Sequence, residues 1–187
     1  MELKYEKKYF TQGNEFEGYT GYCDFPQHAK RVEKIISMAK PSSVLDVGCA
    51  YGYIVRRLLE KGIKAHGIDV SRWCERQARN IIPNHFTRHD IRKRLPFENK
   101  AFDLIYCEGV LEHIDIIYIP EIMYEFERVA NKRIIQVSFP THPNASKTGG
   151  HKCLMPREWW FAAIPIHTWL FNEDSGTDRG EMWLYKC

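Results

Sequence analysis

The chain has 187 residues, is 44% hydrophobic and carries a formal net charge of +3 with both signs mixed along its length; this fits one domain with a sizeable core and announces no polyanion partner. No run of about 18 apolar residues exists, and Met1-Glu2-Leu3-Lys4 lacks the apolar stretch of a signal peptide, so the expectation is a soluble cytoplasmic protein with no membrane partner. Six cysteines without a CxxC spacing read as free thiols, and no metal site is expected, with Cys153, His151 and Cys187 the residues to watch.

Along the chain, residues 5–25 are rich in Tyr, Phe and Gly without a clear period and read as an ordered cap. Ala29, Val32, Ile35, Ile36 and Ala39 share one face of a helix over 28–39 that Pro41 closes. Strands and helices then alternate: strand 44–47, helix 53–61 ended by Gly62, strand 64–68, helix 72–81 with Ser71 as N-cap, and a short strand over 85–87. Phe102 to Cys107 forms the fourth strand, Tyr118 to Val129 an amphipathic helix with Ile119, Ile122, Phe126 and Val129 inward, and Arg133 to Phe139 a β-branched fifth strand. A polar loop, 141–150, leads to a helix opened by Pro156. Two apolar segments, 166–171 and 182–185, read as a closing antiparallel hairpin. Alternation of this kind requires crossover connections and gives a mostly parallel, doubly wound α/β sheet with helices on both faces and an antiparallel last strand.

The most informative run is Val44-Leu45-Asp46-Val47, which breaks into Gly48-Cys49-Ala50-Tyr51-Gly52 before the helical pattern resumes at Tyr53. A strand, a glycine loop and a helix in that order make a nucleotide-type cofactor site: the glycines permit a tight turn, and the N–H groups at the helix start favour an anionic group. A dinucleotide fold wants glycines at the first, third and sixth positions; here they fall at the first and fifth, which argues against NAD. Asp69 ends the second strand, where a carboxylate can accept hydrogen bonds from both hydroxyls of a ribose. Asp46 is a charge inside an apolar strand and needs compensation; the expectation is that it anchors loop N–H groups and orients the cofactor's amino-acid end.

These residues resemble the class I S-adenosylmethionine-dependent methyltransferases. The run 44–52 is similar to that family's first motif, with Ala50 where many members have a middle glycine; Asp69 matches the ribose-binding acid, His89-Asp90-Ile91 the adenine-binding segment, and 102–114 the fourth-strand motif with the helix after it. The resemblance implies a Rossmann-like fold over one domain, 1–187, made of an N-terminal cap and helix (1–40), a cofactor-binding core (41–140) and an acceptor-side loop, last helix and closing hairpin (141–187). It implies S-adenosyl-L-methionine as cofactor, held by Asp46, Gly48, Cys49, Ala50, Gly52, Asp69, Val70, Asp90, Ile91 and Glu108.

Methyl transfer from a sulfonium mainly needs two positioned reactants, excluded water and, for a hydroxyl acceptor, removal of a proton. Glu112 and His113 follow the fourth strand beside the expected reaction centre. As sequence neighbours on a helix they point about 100° apart, so they cannot both face one substrate atom. His151, in a His-then-Pro-then-Trp arrangement similar to that of sugar- and small-molecule-directed relatives, is the third catalytic candidate. Aromatic residues Tyr5, Tyr9, Phe10, Tyr19 and Tyr22 could cover the sulfonium by cation–π contact. The basic cluster Arg88 to Arg94 has no interleaved aromatics and reads as a solvated loop, so a small-molecule acceptor, sugars included, is expected at an O or N atom and a nucleic acid is not. A non-catalytic adenosyl-binding module and an NAD-dependent oxidoreductase are the alternatives.

Overall fold

The computed structural model describes residues 5–13, 19–138, 152–153, 155–163, 169–172 and 181–186. The chain divides into two compact units, residues 1–90 and 91–187.

In the first unit a short helix α1 (Lys7–Thr11) precedes α2 (Pro26–Ala39), which buries His28, Val32, Ile35 and Ala39 at helical spacing. Pro26 sits in the first turn of α2, where its missing N–H costs nothing, and Lys40 ends the helix in the left-handed region with its amide bonded to the Ile36 carbonyl at 2.9 Å. Strand β1 (Ser43–Val47) is buried from Val44 through Val47, as expected of a strand covered on both faces. Helix α3 (Tyr53–Glu60) turns Val55 and Leu58 inward and is followed by Gly62 at φ 76°; β2 (Lys64–Asp69) returns parallel to β1 with Asp46 beside Gly67. Helix α4 (Arg72–Ile81) starts at Ser71, whose Oγ accepts from the Cys74 amide at 3.1 Å, and β3 (Phe86–Arg88) adds in parallel, giving the order β3-β2-β1.

In the second unit β4 (Phe102–Glu108) is followed by two single 3₁₀ turns, Leu111–His113 and Ile116–Tyr118, before α5 (Ile119–Val129). The helix expected directly after the fourth strand is therefore a pair of turns. In a 3₁₀ turn successive side chains stand about 120° apart, so Glu112 and His113 diverge further than on an α-helix. Helix α5 buries Ile119, Ile122, Met123, Phe126 and Val129, each worth about 1.5 to 3 kcal/mol of burial, and leads into β5 (Ala130–Ser138), parallel to β4. Beyond α6 (Arg157–Ala163), β6 (Trp169–Asn172) and β7 (Glu181–Lys186) run antiparallel to one another, and β7 runs antiparallel to β5, giving β4-β5-β7-β6.

An ion pair between buried Glu125 and half-buried Arg128 organises this unit. Arg128 donates to both oxygens of Glu125 (2.8 and 2.7 Å) and to the carbonyls of Leu95 (3.0 Å) and Phe97 (2.7 Å), while the Leu95 amide donates to Glu125 at 2.8 Å. The Arg128 hydrogen bonds hold the Glu125 carboxyl below its ordinary value, and segment 95–97 is thereby tied to α5. Among the described residues, no helix is long and apolar enough to cross a membrane, and Cys23, Cys49, Cys74, Cys107 and Cys153 are free thiols.

Candidate cofactor site and its relatives

The bend after β1 is built from backbone conformations that few side chains tolerate. Gly48 and Gly52 have φ 76° and 86°, and Ala50 itself lies in the left-handed region at φ 49°, where a side chain is strained by about 1 to 2 kcal/mol. At Gly52 a Cβ would come within 2.3 Å of Ile82 Cδ1, so both conformation and space demand glycine. Gly67, one strand over, is a second obligatory glycine that the motif alone does not reveal: its Cβ would lie 2.5 Å from Cys49 Sγ and 3.2 Å from Val55. Its only signal in the sequence is a glycine inside a strand, the mark of close backbone approach.

Acceptors on β2 and within the loop engage several of the loop amides. Gly48 and Cys49 both donate to the Ile68 carbonyl, at 2.8 and 3.1 Å, and Gly52 donates to the Cys49 carbonyl at 2.8 Å. Ala50 donates to Asp69 Oδ2 at 3.0 Å, and Ser71 donates to Asp69 Oδ1 at 2.9 Å. The end of β2, through Ile68 and Asp69, thus braces the bend. Asp46, 4% exposed, is buried beneath the loop. Burial pushes the Asp69 carboxyl up to about 6, against the hydrogen bonds from Ser71, Ala50 and Val70 that lower it. Each Asp69 oxygen keeps further acceptor capacity, because a carboxylate oxygen offers more than one lone pair.

The two helix starts nearby contrast. Helix α3 begins at Gly52 with no side chain capping it, whereas α4 is capped by Ser71 and by Glu6, whose Oε1 accepts from the Arg72 amide (2.9 Å) and Oε2 from the Trp73 amide (3.1 Å). Of these two starts only that of α3 lacks a protein carboxylate, which suits the anionic end of a ligand. His89 donates its amide to the Asp69 carbonyl at 2.9 Å, so Asp90 directly follows the residue that meets the end of β2.

The expected aromatic cap has a defined structure. Phe10, Ala50, Tyr51 and Cys74 form one buried cluster with Tyr9, Tyr22, Tyr53 and Trp73 against it, and Tyr22 lies 4.9 Å from Tyr51 between ring centroids. Asp24 fastens the far end of the cap: it accepts from Arg57 Nε and Nη2 at 3.1 and 2.7 Å, from Arg56, and from His28 Nδ1 at 3.1 Å. Burial alone would raise the Asp24 carboxyl; the bonds from Arg57 and His28 and the charges of both arginines hold it below its ordinary value. Sequence reading missed Glu6 and Asp24, because a long-range cap and a clasp across 32 and 33 residues leave no local pattern.

In the second unit Ile91 is buried and Glu108 accepts a short hydrogen bond from Tyr106 Oη. Glu112 is buried, 1% exposed, and its carbonyl accepts from the amides of Lys152 (2.8 Å) and Cys153 (3.0 Å); His113 is half-buried. Burial first, then the charges of Glu112 and Asp115, push the Cys153 thiol up to about 11. His151 and the loop 139–150 lie outside the described residues, as does Cys187, and of the expected closing segments only 169–172 and 181–186 lie within them. Among the described residues no cluster of three or more His, Cys, Asp or Glu side chains could hold a metal ion.

A family model described as a methyltransferase domain matches residues 25–178. A tRNA U34 carboxymethyltransferase of Nautilia profundicola is 43% identical over 77 residues, 37% of this chain and 25% of that protein. The chain spans less than a third of the length of the tRNA-modifying relatives it matches. Among solved structures, an S-adenosylmethionine-dependent methyltransferase from Archaeoglobus fulgidus superposes with a TM-score of 0.73 at 15% identity, covering 96% of this chain and 99% of that one. The N-terminal domain of EvdMO1, crystallised with S-adenosylhomocysteine and D-fucose, gives 0.69 at 14% identity, covering 89% and 84%. With its glycine bend, strand-end aspartate and Rossmann-like α/β fold, this chain belongs to the class I S-adenosylmethionine-dependent methyltransferases and is an enzyme with S-adenosyl-L-methionine as its cofactor.

Proposed function

We propose that the enzyme methylates an oxygen or nitrogen atom of a small acceptor, with sugars among the candidates, and that residues 1–187 act as one methyltransferase domain, a reading supported by the family model's match to residues 25–178. In this reading Asp46, Gly48, Cys49, Ala50, Gly52, Asp69, Val70 and Asp90 of the first unit hold the cofactor; Ile91 and Glu108, also named from the sequence, belong to the second unit. Asp69 accepts from the ribose with its remaining lone pairs, and the start of α3 faces the carboxylate of the methionine part.

The observation that carries the acceptor side is the pair of hydrogen bonds from Lys152 and Cys153 to the Glu112 carbonyl, which brings the chain next to His151 in sequence onto the turn after β4. Glu112 is nearly closed to solvent, which suits a supporting role for its side chain; His113 and His151 are the candidates to take a proton from the acceptor. The bound cofactor supplies the activated methyl group. The protein's own work is then to orient the acceptor, exclude water and remove that proton.

A second reading, an RNA acceptor, is favoured by one observation: the relatives matched over 37% and 48% of this chain modify tRNA. That similarity weighs against the expectation that a nucleic acid is no partner. Transfer of a labelled methyl group to a panel of sugars, small phenols and amines, and separately to unmodified total tRNA, distinguishes the two. Label in a small molecule with none in RNA supports the proposal; label in RNA alone replaces it. Within the proposal, His151→Ala lowers turnover and leaves cofactor affinity unchanged, and unchanged turnover removes His151 from the mechanism.

A further inference from the structure

The bend proposed to receive the cofactor is covered by rings from residues 5–13 and 19–22. Cys49, Ala50 and Tyr51 are only 5%, 8% and 6% exposed, and the rings around Ala50 and Tyr51 include Phe10, Tyr9 and Tyr22. Phe10 and Tyr22 lie 5.2 and 4.9 Å from Tyr51 between centroids. Residues 5–13 and 19–22 form a paired strap: Tyr19 donates to the Tyr9 carbonyl at 2.7 Å, Gly13 to Tyr19 at 2.9 Å and Tyr22 to Phe10 at 3.0 Å.

The two ends of this strap are fastened unequally. At Asp24 one carboxylate takes hydrogen bonds from two arginines and a histidine, charge-assisted contacts that reach both α2 and α3. At Glu6 the carboxylate accepts from two uncharged donors of α4, the amides of Arg72 and Trp73, backed by Lys7 Nζ over the Trp73 ring at 5.4 Å. The first is a hinge and the second a catch. Trp73 joins the catch to the bend itself, because its Nε1 donates to Tyr51 Oη at 2.7 Å.

We propose that Glu6 is the releasable catch of an N-terminal gate, and that the strap swings about Asp24 to admit and release S-adenosylmethionine. This deepens the cofactor-site reading above and rests on it. Release breaks no covalent bond: the Arg72 and Trp73 amides exchange a carboxylate for water, and Phe10 leaves Tyr51.

The test uses Glu6→Gln and Glu6→Ala, with the rates of S-adenosylhomocysteine binding and release followed by tryptophan fluorescence in stopped flow, and amide hydrogen exchange without ligand. Loss of a catch speeds passage both ways. We expect association and dissociation each to rise about tenfold, the equivalent of about 1.4 kcal/mol on a charge-assisted contact, with the dissociation constant nearly unchanged. Faster exchange of the Tyr19, Tyr22, Arg72 and Trp73 amides accompanies it. A residue that merely contacts the ligand would raise dissociation alone, and that result, like rates and exchange within twofold of the wild type in both variants, overturns the gate while leaving the site intact. A wild-type protein that binds no S-adenosylhomocysteine removes the site and the gate with it.

Discussion

Gly52 is the position where the geometry of the cofactor bend can be tested without any ligand. Replacing it with alanine forces a side chain into φ 86°, a cost of about 1 to 2 kcal/mol, and drives its Cβ to within 2.3 and 2.7 Å of Ile82 Cδ1 and Cγ1. Ile82 is 2% exposed and has little room to retreat, so overpacking adds about 1 to 3 kcal/mol. The lower entropy of the unfolded alanine chain offsets about 0.4 to 1 kcal/mol, leaving a net loss of about 1 to 5 kcal/mol. The double-mutant cycle with Ile82→Ala separates the contributions. Ile82→Ala alone costs about 2 to 5 kcal/mol through its cavity, but in that background Gly52→Ala has no side chain to strike and costs only its backbone strain. Urea unfolding of the four proteins should therefore show a coupling of about 1 to 3 kcal/mol. Additivity within about 0.5 kcal/mol would refute the claim that Ile82 closes the space at Gly52.

Asp69 predicts opposite pH slopes for stability and for cofactor affinity. Its carboxyl, raised from 3.8 to about 6, keeps a proton in the folded state that the unfolded chain has lost, so between about pH 4 and 6 stability falls as pH rises, by up to about 3 kcal/mol. Asp69→Asn should flatten that slope in urea unfolding between pH 4 and 7, and an unaltered slope would assign it to another group. Affinity for S-adenosylhomocysteine should instead rise with pH through about 6, because the ionised carboxylate is the stronger acceptor for ribose; a flat titration counts against a ribose contact. Arg128→Ala should cost about 1 to 3 kcal/mol, since it removes the charge-assisted hydrogen bonds to the Glu125 carboxylate. A loss below 1 kcal/mol by thermal or urea unfolding would show that the pair does not hold segment 95–97 in place.

Local periodicity carried the elements well: Ser71 does cap α4, Pro156 stands directly before α6, and the helix ends at Ala39 and Ile81 fall where the apolar spacing stops, whereas α2 starts at Pro26, before the expected residue 28. The glycine bend was legible for the same reason, since Gly48 and Gly52 answer to backbone conformation at their own positions. What the sequence did not disclose is long-range hydrogen bonding. Ile68 bracing Gly48 and Cys49, Glu6 capping α4 across 66 residues, and Asp24 clasping Arg57 are pairings between segments whose local patterns have no reason to mention one another. The helix after β4 is implied by the family resemblance over 102–114 and not by local periodicity; the chain there breaks at Ile114 and restarts at Asp115, whose carboxylate accepts from the Ile117 amide at 3.3 Å.

The central claim is that the bend between β1 and α3, braced by Asp69, binds S-adenosylmethionine. Titration calorimetry with S-adenosylhomocysteine and with NAD, on the wild type and on Asp69→Ala, tests it most directly. The account predicts saturable binding of S-adenosylhomocysteine that Asp69→Ala weakens by about 1.5 to 3 kcal/mol, with a much weaker response to NAD. Equal affinity in wild type and variant, or a preference for NAD, would contradict it.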